Sequence, residues 1–261
     1  MIPAPDRDRT PHLPPAYRLV ALEEIDSTNA EAKRRAAEGA EDGTLVWARR
    51  QTGGYGRQGR QWASAEGNLF LSLVVRPDCS LAQAAQFSFV TAIALGDAIG
   101  SVAPPLIEVT YKWPNDVLLN GRKAAGILLE SKGDAAQRLE WLVIGLGVNV
   151  NSFPTETRLP ATSLHFEGCP ATVSAVDLLE AFGRHMLSWI NVWLDEGFAP
   201  VRETWLRHAQ GLGEEIEVRL PQESLHGVFA DLDPEGTLVL QRPDGTTRRI
   251  AAGEVYLPGE G

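Results

Sequence analysis

Apolar and polar positions alternate through YRLVALEEI (17–25), as in a strand with one covered face. The next stretch, DSTNAEAKRRAAEGA, turns to the alanine- and charge-rich composition of a helix. Thr28 and Glu31 have capping-box spacing at its start, and Gly39 stands where a C-terminal cap belongs. Strand-like runs follow at 44–50, 68–76, 107–113, 116–120, 124–131 and 141–150. Asn120-Gly121, between two of them, is a hairpin signal. From Leu81 to about Val102 the chain is alanine-rich, with Phe87, Val90, Ala94 and Leu95 at helical spacing. From Val173 to about Ala209, Leu178, Phe182, Met186, Trp189 and Trp193 mark core-packing helices broken near Gly197 and Pro200. Beyond Gly211 come short alternating strands, EEIEVRL, HGVFADL, GTLVLQR and TTRRIAAG, divided by turn residues. The pattern predicts a main domain over 17–210 and a small β-barrel over 211–261, behind a disordered, proline-rich leader over 1–16.

Composition narrows the class. At 261 residues and 44% hydrophobic content, the chain can bury one large core and carry a smaller module. The net charge of −10 argues against broad nucleic-acid binding, which needs a Lys/Arg surface, and leaves room for a local basic pocket around Arg57, Arg60, Lys112, Arg122 and Lys123. Cys79 and Cys169 have no metal-site spacing and are too few for a disulfide framework, so a reducing cytoplasm is expected. The leader has no signal-peptide core. FSFVTAIALGDAIGSVAPPL is interrupted by Asp97, glycines and prolines, and is not expected to span a bilayer.

The chemistry starts at QTGGYGRQGRQW (51–62), where Gly54, Gly56 and Gly59 spell G-x-G-x-x-G after a strand. A dinucleotide site would need a crossover helix at once, yet only the eight residues RQWASAEG separate Gly59 from the next strand. A P-loop fails because Arg60-Gln61 stands where Lys-Ser/Thr is required. What remains is a glycine-rich loop between strands that can run antiparallel. Its backbone N–H groups can approach an anion, and Arg57 and Arg60 supply forked donors. YKWPNDVLLNGRKAAGILLES sets Lys112 at a strand end, before Pro114, Asn115 and Asp116, where it can stabilise developing negative charge. VIGLGVNVN adds a strand broken by Gly145 and Gly147, followed by Asn149, against which a ligand can lie. Taken singly, each has a plain reading as a solvated loop or a surface ion pair.

Together and in this order, STN (27–29), the Q-x-x-G-x-G-R-x-G-R-x-W loop, KWPND (112–116), GRKAAGILLE and GLGVN resemble the biotin protein ligases, from about Ile25 to Val150, with a looser match of the C-terminal module. KWPND is the most specific of these motifs. One departure stands out: Tyr55 occupies the place where the family's loop usually carries its first arginine.

The resemblance implies an α+β fold, with a mixed, largely antiparallel sheet flanked by helices, as in class II aminoacyl-tRNA synthetases, and a Src-homology-3-like C-terminal β-barrel. It implies an ATP-dependent ligase that activates biotin as biotinyl-5'-AMP, with Mg²⁺ accompanying ATP. The biotinyl group then passes to a lysine of the biotin carboxyl carrier domain of a carboxylase such as acetyl-CoA carboxylase. A monomer or homodimer in the cytoplasm is implied, with no membrane partner. On this reading Lys112 and Arg57 are catalytic. Biotin is held by Ser27, Thr28, Asn29, Gln51, Tyr55, Gly56, Arg57 and Lys112, and ATP or the adenylate by Gly54, Arg57, Arg60, Trp62, Lys112, Asn115 and Asn149. The metal ligands are unassigned. The nearest alternative, lipoate or octanoate attachment, generally goes without KWPND. A repressor with biotinyl-adenylate as corepressor is disfavoured, since the residues before Tyr17 are too few and too proline-rich for a helix-turn-helix, and no nucleic-acid partner is expected.

Overall fold

Strand β3 (Leu69–Val75) is buried at all seven positions because its sheet is covered on both sides. The computed structural model describes residues 9–157 and 159–258. Alternation assigns the faces. Leu45 and Trp47 of β2 (Thr44–Gln51), with Leu69, Leu71 and Leu73 of β3, enter a large core shared with helices α3 (Phe87–Val102), α4 (Ala175–Glu196) and α5 (Phe198–Arg207), a one-turn helix α2 (Leu81–Ala84) leading into α3. Val46 and Val74 face the other way, onto Ala32 and Ala36 of α1 (Thr28–Ala37).

Five more strands complete the sheet: β1 (Arg18–Ile25), β4 (Val109–Lys112), β5 (Asp116–Leu119), β6 (Arg122–Gly133) and β7 (Leu139–Val148). The order is β1-β2-β3-β7-β6-β5-β4, with β1–β2 parallel and every other neighbouring pair antiparallel, so the expected mixed sheet is present. Asn120 and Gly121 turn β5 into β6, both with positive φ (48° and 76°).

Four expectations change. The cap of α1 is Ser27, whose side chain accepts from Ala30 N, one residue before the predicted Thr28; Glu31 pairs with Arg34 and Arg35 instead. Gly197 (φ 77°) makes the break between α4 and α5, whereas Pro200 lies in the first turn of α5, where a missing N–H costs nothing. The helical run Leu81–Val102 is long and apolar enough, by length and composition, to cross a membrane, contrary to expectation, but most of it is buried inside this fold. Residues 9–16 of the expected disordered leader lie along α4, Arg9 pairing with Asp177 (2.5 Å) and Glu180 (2.7 Å). The rest of that leader, 1–8, is outside the described residues.

The C-terminal sheet has five strands, β8 (Glu215–Arg219), β9 (Ser224–Leu232), β10 (Leu238–Gln241), β11 (Thr247–Ile250) and β12 (Glu254–Tyr256), in the order β11-β10-β9-β8-β12. All pairs are antiparallel. β12, only three residues long, was not anticipated. The turn before β10 docks this module: Trp113 Nε1 donates to Gly236 O (3.3 Å), Gln86 Nε2 to Pro234 O (3.3 Å), and Arg202 Nε to Leu232 O (2.7 Å). Gly236 has φ 85°, and a Cβ there would stand 2.7 Å from Phe89 Cε2. Gly236→Ala is therefore expected to lower stability by about 1–2 kcal/mol from the left-handed backbone alone, seen as a lower urea midpoint; an unchanged midpoint would mean that the turn is not held in this conformation.

Candidate active site

At and beyond the N-terminal end of α1, the floor of the sheet carries glycines. Gly126 of β6 is opposite Gly147 of β7, and Gly145 lies two residues further along the same face. A Cβ on Gly145 would meet Asn29 Oδ1 at 2.0 Å, and one on Gly147 would meet Trp62 Nε1 at 2.5 Å. The missing side chains thus let α1 and the glycine loop lie directly on the strands. Above this floor is a cavity of about 360 Å³, a size suited to a small organic ligand.

One end of the cavity is neutral and polar. Ser27 caps α1, and Thr28 donates to Gln51 Oε1 from its backbone N (2.8 Å), with its Oγ1 3.1 Å from the same oxygen, while Gln51 Nε2 donates to Ser64 Oγ (3.0 Å). Gly54 leaves the room for this: a Cβ there would stand 2.5 Å from Ser64 Oγ and 2.7 Å from Gln51 Nε2.

The other end is cationic. Lys112, at the end of β4, is only 5% exposed, with its Nζ 5.7 Å from the centre of the Tyr256 ring. The tight turn Trp113–Asn115 brings Asn115 beside the loop, where its Oδ1 accepts from Arg57 Nη1 (3.2 Å) and its Nδ2 donates to Ile127 O (2.7 Å). Burial pushes the Arg57 guanidinium below the ordinary arginine value; Asp116 opposes this and Arg60 adds to it. Asp116 pairs with Lys123 (2.6 Å).

The glycine loop is a small hairpin of its own. Trp62 N donates to Gly54 O (2.9 Å), Gly56 N to Arg60 O (2.7 Å), and Tyr55 bridges to Gln61. A 3₁₀ turn at Arg57–Gly59 forms its tip, with Gln58 at φ 57° and Gly59 at φ 72°. No packed helix follows the glycines, as the spacing requires.

Of the ligand-binding and catalytic candidates named from the sequence, all except Gly54 border this one cavity, namely Ser27, Thr28, Asn29, Gln51, Tyr55, Gly56, Arg57, Arg60, Trp62, Lys112, Asn115 and Asn149; Arg122, expected in the basic pocket, pairs with Glu167 away from it. Asn149 is 3% exposed, and its side-chain amide donates to Thr162 O (3.0 Å). Sequence reasoning missed three contributors. The C-terminal module supplies Gly253 to Tyr256 as a wall, with Glu254 paired to Arg60. The connection after β7 supplies Pro154, Thr157, Leu159 and Ala161. Glu130 accepts from Lys33 (2.5 Å), Tyr55 Oη (2.8 Å) and Asn29 Nδ2 (2.9 Å).

Burial alone would raise the Glu130 carboxyl, but the donors Lys33, Asn29 and Tyr55 outweigh it and hold the group below the ordinary value of 4.5. A depressed carboxylate contributes stability that is full above the unfolded-state value and lost as pH falls through the folded one. Glu130→Gln is accordingly expected to be less stable than wild type at neutral pH, with the gap closing below pH 4.5. Urea midpoints measured across that range check this; a gap that persists in acid would assign the loss to shape rather than charge.

A polar end, a cationic end and a glycine hairpin across a largely antiparallel sheet define a cleft whose polarity is complementary to an elongated, anion-ended molecule. The chain belongs to the biotin/lipoate A/B protein ligase family, whose sequence pattern matches residues 59–207. Residues 211–257 match the biotin protein ligase C terminal domain. Among named relatives, the chain is 40% identical over 243 residues to the biotin–[acetyl-CoA-carboxylase] ligase of Paracoccus denitrificans, covering 91% of this chain and all of that one. It is 34% identical to the enzyme of the same name from Mycobacterium tuberculosis, over 91% of this chain and 88% of that one. Its fold is similar to that of the Aquifex aeolicus biotin protein ligase in complex with biotin and ATP, with a TM-score of 0.74 at 26% identity, covering 92% of this chain and 97% of that one.

Proposed function

We propose that this protein is a biotin–[biotin carboxyl carrier protein] ligase, which converts biotin and ATP to biotinyl-5'-AMP and pyrophosphate and then biotinylates a lysine of a carrier domain. The observation that carries the reading is the polarity of the cavity, with neutral hydrogen-bonding groups at Ser27, Thr28 and Gln51 and the cations Lys112 and Arg57 at the other end. Biotin has the matching polarity, a neutral ureido ring at one end and a carboxylate at the other. The names of the two relatives, at 40% and 34% identity, support the same substrate.

In the first step a biotin carboxylate oxygen attacks the α-phosphorus of ATP and pyrophosphate leaves. Both reactants are anions. Lys112 and Arg57 bring them together and carry part of the charge that collects on the α-phosphoryl oxygens. Mg²⁺ travels with the triphosphate, whose oxygens suit a hard cation; among the described residues no group of three His, Cys, Asp or Glu side chains stands together to hold a resident ion. In the second step the carrier lysine's neutral amine attacks the anhydride carbonyl carbon, AMP leaves, and the amine's extra proton passes to solvent. No protein nucleophile is required.

Within this reading Asn29, Tyr55 and Gly56 border the biotin tail, and Arg60, Trp62, Asn115 and Asn149 frame the adenylate, whereas Gly54 supports the polar end by leaving room for Gln51 and Ser64. The buried indole N–H of Trp62, set against Gly147, has no hydrogen-bond partner among the described residues. A cytoplasmic setting accords with two buried free thiols, Cys79 and Cys169. The deciding experiment incubates the protein with ATP, Mg²⁺, a carrier domain and either biotin or lipoate, then weighs the carrier. One biotinyl group per carrier is expected; a lipoyl group in its place would transfer the chain to the other branch of the family.

A further inference from the structure

The hairpin Gly54–Trp62, here called the flap, is tied across its two arms by backbone hydrogen bonds, so whatever fixes Tyr55 at its base also constrains Arg57 at its tip. The tip itself is lightly held. Arg57 Nη1 reaches Asn115 Oδ1 at 3.2 Å and Gly253 O only at 3.5 Å, and the Arg60–Glu254 pair is largely exposed on the arginine side.

The base is held differently. Tyr55 Oη donates to Glu130 Oε2 at 2.8 Å, and that carboxylate also accepts from Lys33 and Asn29. Asn29 Oδ1 in turn accepts from Ser72 Oγ (2.6 Å), which is fully buried and can accept from Thr28 Oγ1 at 2.9 Å, while the backbone N of Thr28 donates to Gln51. One unbroken network therefore joins the flap to the polar end of the cavity.

The residue type matters. Lys33 already supplies the counter-charge for Glu130, so a neutral phenol can close the flap without setting a second cation against the first. The Tyr55 hydroxyl is a donor across the working pH range, because burial, followed by the hydrogen bond to Glu130, raises it above the ordinary tyrosine value.

We infer that Tyr55 is a positioning residue: with Glu130 as its keeper it latches the flap, and through the flap Arg57, over the cavity, and ties flap closure to the groups at the polar end. The role it plays in catalysis, retention of the adenylate, rests on the ligase reading above; the latch itself does not.

Two measurements separate these. In ligand-free protein, trypsin cleavage after Arg57 and Arg60 reports flap opening without reference to any chemistry. Tyr55→Phe and Glu130→Leu should each speed that cleavage about tenfold, and the double variant should be no faster than either single, since each removes the Tyr55–Glu130 hydrogen bond. In the second measurement, biotinyl-5'-AMP formed on the enzyme is chased with excess unlabelled biotin. Tyr55→Phe should release it about tenfold faster. Wild-type cleavage rates in Tyr55→Phe, or additive effects in the double variant, would remove the latch. Faster cleavage in the variants of a protein whose wild type forms no biotinyl-5'-AMP would leave the latch standing and remove the ligase reading instead.

Discussion

Lys112→Ala is expected to slow formation of biotinyl-5'-AMP by roughly 10²–10³-fold, the loss of about 2.7–4 kcal/mol that follows removal of one preorganised transition-state donor. Several features of the site place the effect at the upper end. Lys112 is 5% exposed, so its charge acts where water screens it little. It stands at the end of β4, directly across the ladder from Asp116, so its backbone is fixed by the sheet rather than by a loop. A pocket that receives two anions needs its cations in place before either reactant arrives, and a lysine held this way pays little reorganisation during the reaction. The fold should survive, because truncation removes a buried charge whose desolvation opposes folding. Pyrophosphate release measured on a single-turnover timescale, alongside a circular dichroism spectrum, tests both halves. Release near the wild-type rate from a folded variant would return Lys112 to a purely structural role.

Arg57→Gly should act on retention more than on activation. The side chain spans from the flap to Asn115 and to Gly253 of the C-terminal module, and it presents its remaining N–H groups to the cavity. Loss of charge-assisted hydrogen bonds worth about 1.5–3 kcal/mol corresponds to roughly ten- to hundredfold faster escape of the mixed anhydride. An escaped acyl-adenylate labels whatever amine it meets. A streptavidin blot of an unrelated lysine-rich protein, incubated with ATP, biotin and each enzyme, should show strong labelling with Arg57→Gly and weak labelling with wild type. If the variant still makes the adenylate and labels the bystander no more than wild type, the arginine is not a clamp.

Much of this site can be read from the sequence because its parts are contiguous. STN, the arginine–glycine hairpin and KWPND are each short segments whose residue types announce a cap, a flexible anion loop and a strand end, and all three converge on one cavity. The parts that escaped notice depend on pairing across the sheet. Ser72 sits inside LFLSLVV, where a lone serine resembles a tolerated small residue; only the register that sets it beside Gly145 and under Asn29 gives it work. Glu130 lies 75 positions from Tyr55 along the chain, so neither predicts the other. β12 is too short for its alternation to register, yet it walls the cavity because the C-terminal sheet folds it back beside β8. The cap of α1 moved from Thr28 to Ser27 for a tertiary reason: both residue types can cap, but Thr28 is engaged by Gln51. Residues 9–16 looked unstructured because proline dominates them, and the acidic first turns of α4 give their charges and backbone a place to rest.

The docking of Trp113 bears on how the KWPND motif should be weighed in evolutionary inference. Trp113 joins the two sheets through Gly236 O, Pro114 O accepts from Ser88 Oγ at 2.7 Å, and Asn115 secures the neighbouring strand through Ile127 O. Trp113 and Pro114 thus hold the fold through contacts outside the catalytic cations, and Asn115 serves both the fold and the site. A duplicated copy relieved of catalysis is expected to drift first at Lys112 and to keep Trp113 and Pro114 for as long as it needs to fold. In a lineage of such copies, the lysine is the letter that tells a working enzyme from a retired one.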